Sequence, residues 1–346
     1  MADLPATLRD VAAAARVHPA TASRALNPDT RMLVSDETAR RVADAAAALG
    51  YRPNPVARSL RTRRSNTIGV LIPDLNNPLF PPMVRGLEDR LTAAGYVALL
   101  GNTDGDTGKE QVIFEQMRAR HVDGFVLATA HAHDPVLAEA AEAGLAVVLM
   151  NRTDPEHDFS SVSVDNEQGM QMSVAHLVAL GHTRIAHIAG PPQVSTGEGR
   201  RRGYNEGLKR ANLDPDEDLV VAATGFTVEE GVRCCRELLA RRELGGARFS
   251  AIAVANDMLA VGCFTALDEA GLDCPGDLSL VGFNDMPFVD RLRPPLTTIR
   301  FPHYQLGTEA AELLLGRVDH ADAAVQVRYL DPELVVRGST AAPDGR

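Results

Sequence analysis

Residues 7–27 read TLRDVAAAARVHPATASRALN. Leu8, Val11, Ala12 and Ala15 recur at the spacing of one helical face, in Ala-rich sequence that favours helix. A break at Arg16 and Val17 precedes a second apolar stripe, Ala22, Ala25 and Leu26. Two short helices joined by a tight turn are the layout of a helix-turn-helix. The second helix then presents Pro19, Ala20, Thr21, Ser23 and Arg24 on its outer side, a small, polar and basic set able to enter a DNA major groove without steric conflict. The same pattern also suits a pair of structural helices with no DNA partner.

A third helix is expected over Ser35 to Leu49. Ser35 is a good N-cap, Asp36 and Glu37 suit the positive end of the helix dipole, and Gly50 supplies a left-handed stop. Val42, Ala45, Ala46 and Leu49 would close a small core. Residues 1–65 hold eleven Arg, no Lys and six Asp or Glu, a charge of +5, whereas the whole chain carries −11 and the remaining 281 residues therefore −16. A basic end on an acidic body confines phosphate attraction to that end. Tyr51 to Ser65 (YRPNPVARSLRTRRS) follows. Asn54 before Pro55 can start a helix of about two turns, too short to persist in water without packing or binding. A plain basic linker is the other reading.

A chain of 346 residues suits two or three domains, and 45% hydrophobic with 23% charged residues is ordinary for a soluble globular protein. No run of eighteen apolar residues occurs, and the N-terminus lacks the charged and apolar regions of a secretory signal. No membrane partner is expected, and the expected location is the cytoplasm. Cys234, Cys235, Cys263 and Cys274 have neither zinc-ligand spacing nor a CxxC pair, so they read as small hydrophobes in a reducing compartment. No cofactor is expected.

From Ile68 short apolar runs alternate with longer helical stretches. Strands are expected at Ile68–Ile72, Val97–Leu100, Gly124–Ala128 and Ala146–Met150, then at Arg184–Ala189, Leu219–Ala223, Ala251–Val254 and Ser279–Phe283. The helices between them include Glu167–Leu180, Arg200–Ala211 and Asp257–Ala270, and residues 297–337 offer another helix and two strands. Repeated βα units imply two parallel, doubly wound sheets, with ligands gathered at the carboxyl ends of the strands, in a cleft between two lobes. Asp74 and Asn76, Asn256 and Asp257, and Asn284 and Asp285 each follow a strand. Any one of these can be a local turn residue, but three sets of amides and carboxylates are suited to hold hydroxyls, which suggests a polyol. The nucleophile elbow, Walker loop, dinucleotide fingerprint and HExxH motif are all lacking, which disfavours an enzyme.

The segment TLRDVAAAARVHPATASRALN, together with LGYRPNPVARSLRTRRSNTIGVLIPD, closely resembles the lactose/galactose-repressor family of transcription regulators, and the likeness extends over nearly the whole chain. The resemblance implies a helix-turn-helix domain over 1–53, a hinge helix over 54–65, and an α/β two-lobed domain of the periplasmic-binding-protein type over 66–340. Its first lobe is expected over 66–164 and 298–325, its second over 165–297 and 326–340, with a tail at 341–346. Pro19, Ala20 and Arg24 take the base-reading positions, and Thr21, Ser23 and Asn27 approach phosphates. His18 stands where serine is usual, and the stretch Asn27–Val34 is longer than usual. Thr7, Leu8, Asn54 and Ala57 complete the expected DNA-contacting set. Leu60 wedges between base pairs in the minor groove, with Arg58, Arg61, Arg63 and Arg64 near phosphates.

In the cleft the resemblance assigns effector binding to Arg200 of GEGRRRGY and to Asn256, with Asp257 expected to cap the next helix. Asn284 stands where aspartate is usual, a change that puts ligand choice in doubt. Phe226 would stack on a sugar or base face, Phe80 would form a second apolar wall, and Asp165 is either a further contact or a crossover-loop cap. The implied function is a ligand-responsive repressor that binds palindromic double-stranded operator DNA as a homodimer and answers to a small-molecule effector, a sugar or sugar derivative. The rival readings are a nucleobase corepressor, a sugar-binding protein and a sugar-acting enzyme.

Two outcomes follow for DNA binding. Leu60→Ala weakens operator binding far more than binding to unrelated DNA; an equal loss on both, measured by fluorescence anisotropy, removes the wedge role. Arg24→Ala costs about 1–3 kcal/mol on the operator and relaxes preference at one base pair, as a binding series over single-base variants would read.

Overall fold

The computed structural model describes residues 6–52, 64–243, 248–320 and 322–343, in two compact units that divide between Ser65 and Asn66. The hinge residues Asn54, Ala57 and Leu60, with Arg58, Arg61 and Arg63, lie outside the described residues. In the first unit, α1 (Leu8–Ala14) starts from Thr7. The Thr7 hydroxyl accepts from the Asp10 N–H while the Asp10 carboxylate accepts from the Thr7 N–H, so each satisfies an otherwise orphaned donor. Arg16, at φ 52°, turns the chain. α2 (Pro19–Leu26) begins on His18, whose Nδ1 accepts from the Ala20 N–H at 3.2 Å. The imidazole thus supplies the cap.

The longer connection after Asn27 is a 3-10 helix, Pro28–Leu33, and α3 (Asp36–Ala48) is capped by Ser35 and followed by Gly50 at φ 60°. Val11, Ala12, Ala15, Ala22, Val42 and Ala46 form the core of this unit, with Leu8 packed against it. Leu49, expected in that core, is exposed because the helix ends one residue before it and leaves it as the C-cap. Along α2, Ala20 and Arg24 are exposed, and Pro19, Thr21 and Ser23 are half-buried.

The second unit holds two six-stranded sheets. The first lobe is built from β1 (Thr67–Ile72), α4 (Phe80–Ala93), β2 (Val97–Asn102), α5 (Thr107–Ala119), β3 (Gly124–Leu127), α6 (Pro135–Glu142), β4 (Val147–Met150) and β5 (Ser160–Val164). The second is built from α7 (Asn166–Ala179), β6 (Ile185–Ala189), α8 (Ser195–Arg210), β7 (Val220–Ala222), α9 (Val228–Glu243), β8 (Ala251–Val254), α10 (Asp257–Glu269), β9 (Ser279–Asn284) and β10 (Thr297–Arg300). Then α11 (His303–Asp319) and β11 (Val327–Leu330) return to the first lobe, and β12 (Glu333–Val335) joins the second. The sheet orders are β11-β5-β4-β3-β1-β2 and β12-β10-β9-β8-β6-β7, parallel throughout except β12 against β10. Among the described residues no helix is long and apolar enough to cross a membrane.

Three expectations are corrected. The sequence reading placed no strand between Met150 and Asn166, yet β5 is fully buried there. Its serines look like loop sequence, but they are satisfied inside the sheet: Ser163 Oγ donates to the Asn151 carbonyl at 3.0 Å, and Ser160 Oγ accepts from the Gln326 N–H at 3.1 Å. The tail carries three strands, not two, and they change lobes. β10, expected in the first lobe from residue 298, pairs with β9 in the second, whereas β11, expected in the second, pairs with β5 in the first. Finally, α8 starts at Ser195 and not at Arg200. Its glycines read as a loop, but at Gly197 a Cβ would lie 2.3 Å from the Pro191 carbonyl oxygen, so the helix needs glycine to pass that backbone.

α11 crosses α4 backbone to backbone: a Cβ at Gly307 would stand 1.8 Å from the Met83 carbonyl oxygen. Gly307→Ala therefore destabilises the protein by about 3 kcal/mol, the upper end of ordinary overpacking costs, as the midpoint of urea unfolding would report.

Candidate functional site

The carboxyl ends of both sheets face one cavity of about 450 Å³. This is where doubly wound sheets gather ligands, beside the point at which strand order reverses: between β1 and β3 in one lobe, and between β6 and β8 in the other. The loops after β1, β2, β3 and β4 form one wall, and those after β6, β7, β8 and β9 form the other.

Arg200, on the second turn of α8, is 2% exposed and lines the cavity. Its Nε donates to Asn166 Oδ1 at 2.8 Å, Nη1 to the Ala255 carbonyl at 2.6 Å and Nη2 to Asn284 Oδ1 at 3.3 Å. All three acceptors are neutral, and a guanidinium has five N–H donors, so two remain for a ligand. The Phe283 ring lies 3.9 Å beneath the guanidinium carbon and Phe226 5.9 Å away. Burial pulls this arginine down to about 9, which leaves it a cation at neutral pH. The arrangement offers a ligand oxygen a positive, partly satisfied donor held rigidly beside the half-buried ring of Phe226, which also lines the cavity.

Asn256 and Asn284, each 1% exposed, line the same wall. Asn256 is itself the N-cap of α10, its Oδ1 accepting from the Leu259 N–H at 2.9 Å. Asp257, expected to be that cap, instead lies buried and ties strand ends together: it accepts from the Thr298 hydroxyl at 2.6 Å and the Met286 N–H at 2.8 Å. Burial pushes its carboxyl up to about 7.

On the first-lobe wall Asp74 and Phe80 line the cavity, as expected. Asn76 does not: the Asp74 carboxylate accepts from its N–H at 2.8 Å, closing a turn that leaves Asn76 exposed and brings Asn77, 7% exposed, to the cavity. Asp165 is not among the lining residues either. It caps α7 by accepting from the Gln168 N–H at 2.8 Å, and its own N–H donates to the Leu330 carbonyl at 3.2 Å, joining two of the crossings between lobes. Its neighbour Asn166 supports Arg200.

Several lining residues escaped the sequence reading. Thr103 and Asp104 follow β2, Thr129 and His131 follow β3, and Asn151 and Arg152 follow β4. The signal of polar residues after a strand was present at each. Glu110 had no such signal, since it sits in the first turn of α5. It is buried and accepts from the Thr129 hydroxyl, and burial pushes it up to about 7. Arg152, half-buried and pulled down to about 10 by desolvation, donates through Nη1 to the carbonyls of Thr129 at 2.6 Å and Ala130 at 3.2 Å.

Residues 7–54 match the lacI family of bacterial regulatory proteins, and residues 174–340 match the periplasmic binding protein-like domain. The chain is 34% identical over 338 residues to the HTH-type transcriptional repressor CytR of Escherichia coli (strain K12), covering 97% of each. It is 35% identical over 325 residues to the ribose operon repressor of Bacillus subtilis (strain 168), covering 93% of this chain and 95% of that one. A solved structure of the lac repressor dimer bound to operator and the anti-inducer ONPF matches with a TM-score of 0.85 at 28% identity, covering 98% of this chain and 100% of that one. With a capped helix pair at one end and a two-lobed cleft in the other unit, the chain belongs to the lacI family of bacterial regulatory proteins and is a DNA-binding transcription regulator.

Proposed function

We propose that this regulator is a repressor that binds a near-palindromic operator as a homodimer, and that a sugar or sugar derivative held in the cleft sets its affinity for DNA. One recognition helix reads only a few base pairs, so two-fold pairing of half-sites follows from α2 alone. On that helix Pro19, Ala20 and Arg24 read bases, while His18, Thr21, Ser23 and Asn27 approach the backbone, with Thr7 and Leu8 at the entry of α1. Effector contacts fall to Asp74, Phe80, Arg200, Phe226, Asn256 and Asn284, to which Asn77 is added in place of Asn76. The observation that carries this reading is Arg200. It is a buried cation with donors to spare, flanked by two buried amides and an aromatic face, the combination that holds a polyhydroxylated ring by its oxygens on one side and its C–H face on the other. The Bacillus subtilis relative's name, a ribose operon repressor, supports a sugar of this kind.

Effector binding favours one arrangement of the lobes, and the arrangement favoured sets operator affinity. To convert a regulator from 99% bound to 99% free, the effector must prefer one state by about 5.5 kcal/mol. A nucleobase or nucleoside effector is the second reading, favoured by the flat ring of Phe226 beside the cavity. Catalysis has no part in either.

The experiment is fluorescence anisotropy of the full chain on DNA from upstream of its own gene, with scrambled DNA as control, across a panel of sugars and nucleosides. Salt-sensitive preference for the native fragment that one sugar abolishes supports the proposal. A response to nucleosides alone transfers it to the second reading, and no preference over scrambled DNA overturns the operator assignment. In the same assay Arg200→Ala keeps near-normal operator affinity and loses the ligand response; a retained response removes Arg200 from the site.

A further inference from the structure

We propose that Glu110, His131 and Asp134 form a divalent-cation site in the first-lobe wall of the cleft, with its open side toward the cavity. One ligand atom from each of the three lies within 4.8 Å of the other two. Glu110 and Asp134 are each only 3% exposed. Asp134 caps α6 with one oxygen, accepting from the Val136 N–H at 2.9 Å, while its Oδ2 is buried with no hydrogen-bond partner. That oxygen faces His131 Nε2 at 3.7 Å, and Nε2 is likewise buried without a hydrogen-bond partner.

The tautomer explains why these two atoms do not satisfy each other. His131 Nδ1 lies 2.9 Å from the Ala132 carbonyl, which can only accept, so Nδ1 carries the proton. In the neutral ring Nε2 then presents a lone pair to a carboxylate oxygen that also presents lone pairs. An unsatisfied buried acceptor is costly, and here an imidazole nitrogen and a carboxylate oxygen face one another with a second carboxylate, Glu110, beside them. A cation between them satisfies all three.

The surroundings fit a metal ion. An imidazole whose far N–H donates to a backbone carbonyl is the usual posture of a ligating histidine, because that bond fixes ring and tautomer. The Thr129 hydroxyl holds one oxygen of Glu110 and leaves the other for the ion. One nitrogen and two oxygens suit zinc or manganese better than calcium, which takes oxygen alone. Since Glu110 and His131 line the cavity, the remaining coordination position opens into it, available to water or to a ligand hydroxyl. The site rests on these three side chains whatever the effector is.

A second group, Asp154, Glu156 and His157, provides the internal control. There His157 Nδ1 pairs with Asp154 Oδ2 at 2.6 Å and Glu156 with His133 at 2.7 Å, so its acceptors are already engaged.

The test is calorimetric titration of the full chain, stripped with a chelator and free of effector, with Zn²⁺ alone. One equivalent is expected to bind and to raise the thermal unfolding midpoint. Asp134→Asn, whose amide oxygen can still cap α6, and His131→Gln each weaken binding by about 100-fold or more, beyond the roughly 10- to 100-fold lost when only an outer-shell partner is removed. Both also abolish the zinc-induced rise in midpoint, whereas Glu156→Ala changes neither readout. Absence of stoichiometric binding, binding that survives both His131→Gln and Asp134→Asn, or loss confined to Glu156→Ala overturns the site.

Discussion

A guanidinium almost without access to water is the element on which the second lobe turns. Removing one charge from water costs several kcal/mol unless its donors are matched, and Arg200 meets that cost with three bonds to three separate strand and helix ends: the start of α7, the end of β8 and the end of β9. The bond from Nη2 reaches the side chain of Asn284, which sits at φ 116°, a backbone conformation that a residue with a side chain rarely adopts. Asp257 performs a related task one layer deeper, fastening β9 and β10 through Met286 and Thr298. The cleft wall is therefore rigid because its polar groups are bonded to each other first and to a ligand second.

The two lobes are joined by three crossings, at Val164–Asn166, Arg300–His303 and Leu330–Glu333. Asp165 and Leu330 bond two of them together through the backbone. Three short connections side by side restrict relative motion of the lobes to bending about one line, in contrast to the free rotation that a single linker would allow. Within the first lobe, the close approach of α4 and α11 at Gly307 makes those helices move as one body.

Much of this was legible in the sequence, for identifiable reasons. The helix-turn-helix announces itself by apolar spacing, and the expected Ser35 cap forms; Thr7 and His18 cap the other two helices as well, each accepting from the first turn. The βα alternation gives two parallel sheets because their strands are buried on both faces and read as continuous apolar runs. β5 escaped because three of its five residues are serines, and the partner of Ser160, Gln326, lies far along the chain. Placing Asn76 in the site instead of Asn77 failed for a different reason: a turn closed by Asp74 decides which of two adjacent asparagines faces inward, and composition is blind to that choice. Likewise Asn256 both caps its helix and lines the cavity, while Asp257, expected as the cap, is turned inward to Thr298 and Met286. Glu110 was illegible because a glutamate in the first turn of a helix is ordinary on a solvated surface, and only the loop from Thr129 to His131 folding over it makes it a buried acid.

The exchange of β11 and β12 between lobes bears on how the molecule is made. Each sheet receives its last strand from the final stretch of the chain, β11 covering the edge of β5 and β12 the edge of β10. Until synthesis has passed Val335, at least one sheet lacks its outermost strand and exposes β5 or β10, an edge that the finished protein covers, as a template for association with other chains. Neither lobe is a contiguous length of chain: the first waits for β11 and the second for β12 immediately after it, so the two halves of the cleft are finished almost together.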